Sequence, residues 1–244
     1  MDQKVKTKKT ITLKVLLPNF FTALSLGSAI LGITLITRGN FQSAIICIIF
    51  SMFFDGIDGK LARLLGVSSQ FGALFDTVTD FIAFGLTPIY LAYQLILSRS
   101  YPWGLIICLV YISSGGFRLI RYMHQNPVSS QKQPFTGLPI PASAGFIAAC
   151  SLFVLSSANI FGSPVILGIL VLVVSYLMVS RIKYQSLDWK NLPKRSLKIF
   201  ILLLIISVIL AVKYFNYVFF LWMIVYLFSG ISGYLSELFT TKGK

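Results

Sequence analysis

The chain has 244 residues, of which 56% are apolar, 14% aromatic and only 11% charged, with a net charge of +14. Soluble domains carry about 25% charged residues, so this composition excludes an ordinary water-soluble globule. It predicts an all-α, polytopic membrane helix bundle, because a lipid-exposed open sheet edge leaves its backbone unsatisfied.

A scan for apolar stretches of ~20 residues predicts about eight transmembrane helices, near 16–37, 41–64, 71–98, 101–122, 140–158, 163–182, 196–213 and 215–236. Residues 1–15 read as a basic tail, 16–185 as the membrane core, and 186–244 as a loop followed by two further spans. With the amino terminus in the cytoplasm, 18 of the 21 lysines and arginines fall on inner segments, leaving Arg38, Arg99 and Lys213 outside. The positive-inside rule then places both termini in the cytoplasm. The charge excess is therefore topology and attraction to anionic headgroups, not a nucleic-acid surface.

The first helix opens at Pro18-Asn19, a sensible start with proline in the first turn. The second and third are joined by the short turn LGVSSQ, which makes them antiparallel neighbours. The longest breaks, near 123–139 and 183–195, are inner loops, the first including His124. Cys47, Cys108 and Cys150 each fall alone in an apolar stretch and read as small buried hydrophobes. No internal repeat is evident, which counts against an inverted-repeat transporter.

Of seven acidic residues, Asp55, Asp58, Asp76 and Asp80 lie in or beside apolar segments. A carboxylate at bilayer depth costs at least ~2.5 kcal/mol and marks a functional site. At ~3.6 residues per turn, Asp55, Asp58, Gly59 and Ala62 share one stripe of the second helix. Gly72, Asp76, Asp80 and Ala83 share one stripe of the third. Gly59 and Gly72 clear the helix faces beside the acids, either for a flat base or phosphate or simply for close helix packing. Arg63 adds a planar, always-charged fork suited to phosphate or carboxylate. Carboxylates repel phosphate, and a bridging Mg²⁺ or Mn²⁺ resolves that conflict.

Eight positions, Asp55, Asp58, Gly59, Ala62, Arg63, Gly72, Asp76 and Asp80, reproduce in type and spacing the signature of the CDP-alcohol phosphotransferases, which this run resembles. That resemblance implies a metal-dependent transferase that displaces CMP from a CDP-linked lipid with an alcohol. It implies that Asp55, Asp58 and Asp76 hold metal, two divalent ions per site. Asp80 would be the base and would also touch the second ion. Gly59, Ala62, Arg63 and Gly72 would line the CDP-diacylglycerol site, and the enzyme would be a homodimer in the cytoplasmic membrane.

Four further segments bear on the alcohol: PNFFT from Pro18, GGFRLIRY from Gly115, FTGLPIPASAG from Phe135 and LMVSRIKY from Leu177. Together they resemble the bacterial membrane-integral phosphatidylserine synthases, a branch of that family, and imply L-serine as acceptor. Gln185 departs from that branch, where proline is expected. Arg118 and Arg121, three residues apart on one helix face, are candidates to bind an acceptor carboxylate or a lipid phosphate. Positive-inside topology also accounts for them, and for Arg181 and Lys183 at the same level. Other members using glycerol 3-phosphate or inositol (phosphate), a membrane prenyltransferase, and a cation channel with an acidic ring are the alternatives.

Overall fold

A computed structural model describes residues 2–66, 69–125, 135–156, 162–184 and 194–241 of the chain. Helix α1 runs Asp2–Thr37 and α2 Phe41–Leu65, joined through Gly39 at φ +75°. Asn40 caps α2 by accepting from the Ser43 amide, and Gly66 ends it in the left-handed conformation that glycine adopts without a Cβ clash. The pair is stitched by small polar groups: Ser25 and Ser51 exchange hydrogen bonds across the interface, and Ser28 donates to the Cys47 carbonyl at 2.9 Å. Gly32 lets α2 approach closely, since a Cβ there would meet Cys47 Cβ at 3.3 Å. Close approach through small residues is how membrane helices gain packing without a hydrophobic drive between them.

Two expectations change at α1. The basic stretch continues the first helix back to Asp2, so Pro18 lies inside the helix and not in its first turn. Proline removes one intrahelical hydrogen bond there, and the Thr22 hydroxyl donates to the Pro18 carbonyl at 3.2 Å.

The third expected span is a composite. It comprises α3 (Gln70–Asp80), a π-helical turn (Phe81–Leu86) and α4 (Thr87–Leu95), followed by a 3₁₀ turn at Leu97–Ser100. Helix α5 is Trp103–Gln125, α6 Ile140–Leu155 and α7 Pro164–Val179. His124 therefore sits on α5 and not in a loop. Helix α8 spans Lys194–Thr241 with a break at Tyr214 (φ −125°, ψ 44°), the single residue separating the two last expected spans. The described residues are overwhelmingly helical, as the all-α class requires; one two-residue ribbon, β1 (Phe135–Thr136) antiparallel to β2 (Lys183–Tyr184), ties the segment before α6 to the one after α7. The expected loops fall mainly on 126–134 and 185–193, outside the described residues, as do Lys132, Gln185 and Lys190.

Among the described residues, four helical stretches are long and apolar enough to cross a bilayer, Leu16–Thr37, Gln70–Leu95, Trp103–His124 and Leu202–Gly230, and α6 and α7 are shorter apolar helices. Helix α6 is the axis of the bundle, buried along most of its length. Phe84, Leu97, Tyr111, Ile140, Ile147 and Val171 build the main core around it. All three cysteines are buried and unbridged, as expected. The outer faces of α1, α5, α7 and α8 expose Ile, Leu, Val and Phe, which suits lipid and not water.

Candidate active site

Helices α2 and α3 share a short turn but do not pack along their lengths; α1 packs against both. Their facing stripes bring three carboxylates together. Oxygen atoms of Asp55, Asp76 and Asp80 all lie within 4.8 Å of one another. Asp55 lies against Asp80, whose Oδ1 is buried without a hydrogen-bond partner. Like charges at this separation repel strongly wherever water is excluded. A hard divalent cation, which takes several oxygen ligands, answers both the crowding and the orphaned oxygen. The donor set therefore fits such an ion.

The π turn begins at the residue after Asp80. Extra residues in a turn of this kind loosen the backbone hydrogen-bond ladder and recur at functional sites. Here the loosened carbonyls are claimed by side chains. Thr87 donates to the Ile82 carbonyl at 2.9 Å, and the Tyr111 hydroxyl donates to the Phe84 carbonyl at 2.9 Å while contacting Ser143. The turn that aims Asp80 is thus held from α4, α5 and α6.

Asp58 stands apart from the cluster of three. It is 4% exposed and accepts from the Thr22 hydroxyl at 2.8 Å. It belongs to the wall of a pocket of about 200 Å³ between the three helices. Pro18, Asn19 and Thr22 come from α1; Asp58, Gly59 and Ala62 from α2; Ser69, Gly72, Ala73 and Asp76 from the turn and α3. The two glycines differ. A Cβ at Gly59 would meet nothing within 4 Å, so that glycine leaves open space. A Cβ at Gly72 would stand 2.9 Å from both Asn19 Oδ1 and Ser69 Oγ, so that glycine admits neighbouring side chains. The space at Gly59 is open, and that at Gly72 is taken up by side chains of α1 and the turn.

The arginines separate. Arg63 is exposed, folds back to donate to the Gly59 carbonyl at 2.8 Å, and does not line the pocket. Arg118 is 7% exposed and faces Asp80, and its Nε has no hydrogen-bond partner. Arg121 reaches across to α7, donating to the Val179 carbonyl at 2.9 Å and to those of Met178 and Ser180 at 3.4–3.5 Å. Those are the carbonyls a helix end leaves unsatisfied. One face of α5 thus supplies a buried cation to the acids and a clamp to the frame.

The sequence marked Asn19 and Thr22 only as part of the PNFFT segment bearing on the alcohol, and gave no sign of Ser69. Asn19 and Thr22 lie three residues apart near the start of an apolar helix, a polar stripe that was legible, but nothing local placed it opposite Asp58 and Gly72.

Aspartates from two helices are gathered beside a three-helix pocket in a bundle of apolar helices, an architecture that suits a membrane-embedded enzyme acting on a phosphate-bearing lipid. The chain belongs to the CDP-alcohol phosphatidyltransferase family, whose profile matches residues 15–179. Members of that family are enzymes. A CDP-diacylglycerol–serine O-phosphatidyltransferase of Helicobacter pylori (strain J99) is 32% identical over 200 residues, covering 81% of this chain and 82% of the relative. One from Methanocaldococcus jannaschii is 34% identical over 165 residues, covering 68% and 71%. An archaetidylserine synthase of Methanothermobacter thermautotrophicus is 31% identical over 182 residues, covering 74% of each chain.

Proposed function

We propose that this protein transfers the phosphatidyl group of CDP-diacylglycerol to the hydroxyl of L-serine, giving phosphatidylserine and CMP. The observation that carries the reading is the juxtaposition of the Asp55–Asp76–Asp80 cluster with a buried guanidinium, Arg118. The relatives named for serine transfer support the choice of acceptor.

Asp55, Asp76 and Asp80, with Asp58 on the nucleotide side, would hold divalent cations, Mg²⁺ or Mn²⁺ and two per site. When bound, such ions neutralise the pyrophosphate and stabilise charge on the departing CMP. The chain's own groups do the rest. The open face at Gly59, with Ala62 and Gly72, receives the CDP group, and Arg63 at the rim adds positive charge near it. One carboxylate oxygen of Asp80 takes the proton of the serine hydroxyl, and the other would face the second cation. The hydroxyl oxygen then bonds to the phosphorus nearer diacylglycerol, and the bond to the CMP oxygen breaks, its electron pair leaving with CMP. In serine the carboxylate lies only two carbons from the hydroxyl. Arg118 faces Asp80, and its guanidinium would receive that carboxylate. Arg121, the other candidate on that face, acts in this scheme by holding the end of α7 beside the site.

The membrane arrangement proposed is eight spans with both termini in the cytoplasm, α8 counting as two across Tyr214. The site then opens to the cytoplasmic face of the cell membrane, where serine and CMP are soluble, and the working unit is a homodimer. The test of the activity is CMP release by purified protein from CDP-diacylglycerol, against serine, glycerol 3-phosphate, inositol and inositol phosphate, with each metal and after chelation. Release with serine alone, abolished by chelation and restored by Mg²⁺ or Mn²⁺, is expected. Release only with another alcohol would refute the serine assignment.

A further inference from the structure

We propose that the Tyr226 hydroxyl on α8 is a second donor to the acceptor's carboxylate, beside Arg118, and so selects for a hydroxy acid; the proposal rests on reading Arg118 as the partner of that carboxylate. The family profile ends at residue 179, so α8 is a part of the chain that the family reading leaves without a task. Its second half is nevertheless fixed against the frame of the site. Phe220 packs on Phe146 and Phe153 of α6, with ring centroids 6.0 and 4.7 Å away. Met223 fills the notch at Gly145 of α6, where a Cβ would stand 2.9 Å from its sulfur. Leu227 is buried, and Gly230 admits the Tyr184 ring of β2, which a Cβ there would strike. Phe220, Met223, Leu227 and Gly230 recur at spacings of three and four, so they form one docked stripe.

Tyr226 stands on the edge of that stripe, three residues after Met223 and four before Gly230. Its ring stacks on Tyr184, with centroids 5.8 Å apart and planes 23° from parallel. The Tyr184 hydroxyl in turn donates to the neighbouring Leu227 carbonyl at 3.5 Å. The phenol is thus held from β2 as well as from α6. Held there, it lies within electrostatic range of the Arg118 guanidinium, as does Asp80 on α3. Tyr122 is in range too, but it travels on the same helix as Arg118 and is 45% exposed, whereas Tyr226 is brought by a separate element.

Arg118 and Tyr226 together have the chemistry of a carboxylate site. Arg118 is 7% exposed and its Nε has no hydrogen-bond partner, a costly state for a buried charged group. A planar guanidinium matches a carboxylate by its fork. The two carboxylate oxygens offer about four lone-pair positions, more than one arginine fills, and a phenol O–H takes another. Tyr226 keeps 36% of its surface exposed, which leaves room beside it for the ligand. A neutral polyol such as inositol would leave the buried guanidinium unpaired, and donors left unpaired are the means by which a site rejects an analogue.

The test is steady-state kinetics of purified protein in detergent with Tyr226→Phe, which keeps the ring and its stacking and removes only the hydroxyl. KM for serine should rise about tenfold, the scale of one hydrogen bond to a charged group. Meanwhile kcat and KM for CDP-diacylglycerol should stay within about twofold, with the melting temperature unchanged. Arg118→Lys supplies a second background. Tyr226→Phe should weaken serine there by a similar factor, because the hydroxyl acts on the carboxylate and not through the guanidinium. Tyr226→Met repeats the comparison should the phenylalanine variant be unstable. Unchanged KM for serine, an equal rise for both substrates, or loss of the effect beside Arg118→Lys overturns the role of Tyr226. A wild type that releases no CMP with serine overturns the acceptor reading itself.

Discussion

Asp80 combines two environments in one side chain. It lies against Asp55, and its Oδ1 is buried with no partner. A base positioned in this way contributes about 10²–10⁴-fold to rate. Asp80→Asn keeps size and polarity but accepts no proton, so activity should fall by about 10³-fold or more while membrane insertion and monodispersity persist; retained turnover would remove Asp80 from the proposed mechanism. Arg118 makes a complementary case. Hydrogen bonds to charged groups are worth about 1.5–3 kcal/mol. Arg118→Ala should therefore raise KM for serine about 10–100-fold and leave KM for CDP-diacylglycerol nearly unchanged, as steady-state kinetics with each substrate varied would show. The acids were legible from sequence because a carboxylate in an apolar helix is anomalous wherever it packs. The difference between Arg118 and Arg121 was not, since two arginines three residues apart look alike until α7 delivers its carbonyls to one of them.

At the scale of elements, the decisive feature is the π turn at Phe81–Leu86, which interrupts what the sequence reads as one uniform apolar span. Its Phe84 carbonyl is held by Tyr111 from α5, backed by Ser143 on α6. Tyr111 is fully buried, so Tyr111→Phe leaves that carbonyl without its donor at a cost of about 1–3 kcal/mol. The melting temperature in detergent should drop by about 2–10 °C, and kcat should fall with it because the same turn aims Asp80. A variant with wild-type melting and turnover would show that the tyrosine hydroxyl does not support the turn. Helix positions themselves were legible: α2 and α6 begin where the apolar pattern begins, and the Tyr214 break falls between the two last expected spans. Helix α1 is the exception. Proline signals a helix start only in the absence of a better continuation, and the basic stretch before it supplied one.

At the scale of the whole molecule, apolar side chains cover the outer faces, and the polar groups gather in the α1–α2–α3 pocket and along the buried seams. That distribution is the inverse of a soluble enzyme and follows from lipid as solvent. Tags at both termini should be digested by protease in inside-out vesicles and protected in sealed right-side-out ones; opposite protection of the two ends would leave an odd number of spans. Light scattering on the detergent-purified protein should give the mass of two 27.1 kDa chains after subtraction of detergent. A single-chain mass would refute the homodimer.

The sequence by itself determined the membrane class, the helix periods and the four aspartates, because bilayer energetics and helical phase act over one or two turns. Tertiary structure decided the third wall of the pocket, the separate tasks of Gly59 and Gly72, the fate of each arginine and the place of Asp58 outside the close cluster of three. Each of these depends on partners far apart along the chain: Thr22 meets Asp58 across 36 residues, and Arg121 meets Val179 across 58. No periodicity within a helix encodes such a pairing; it exists only once α1 has packed between α2 and α3 and α5 has packed against α7.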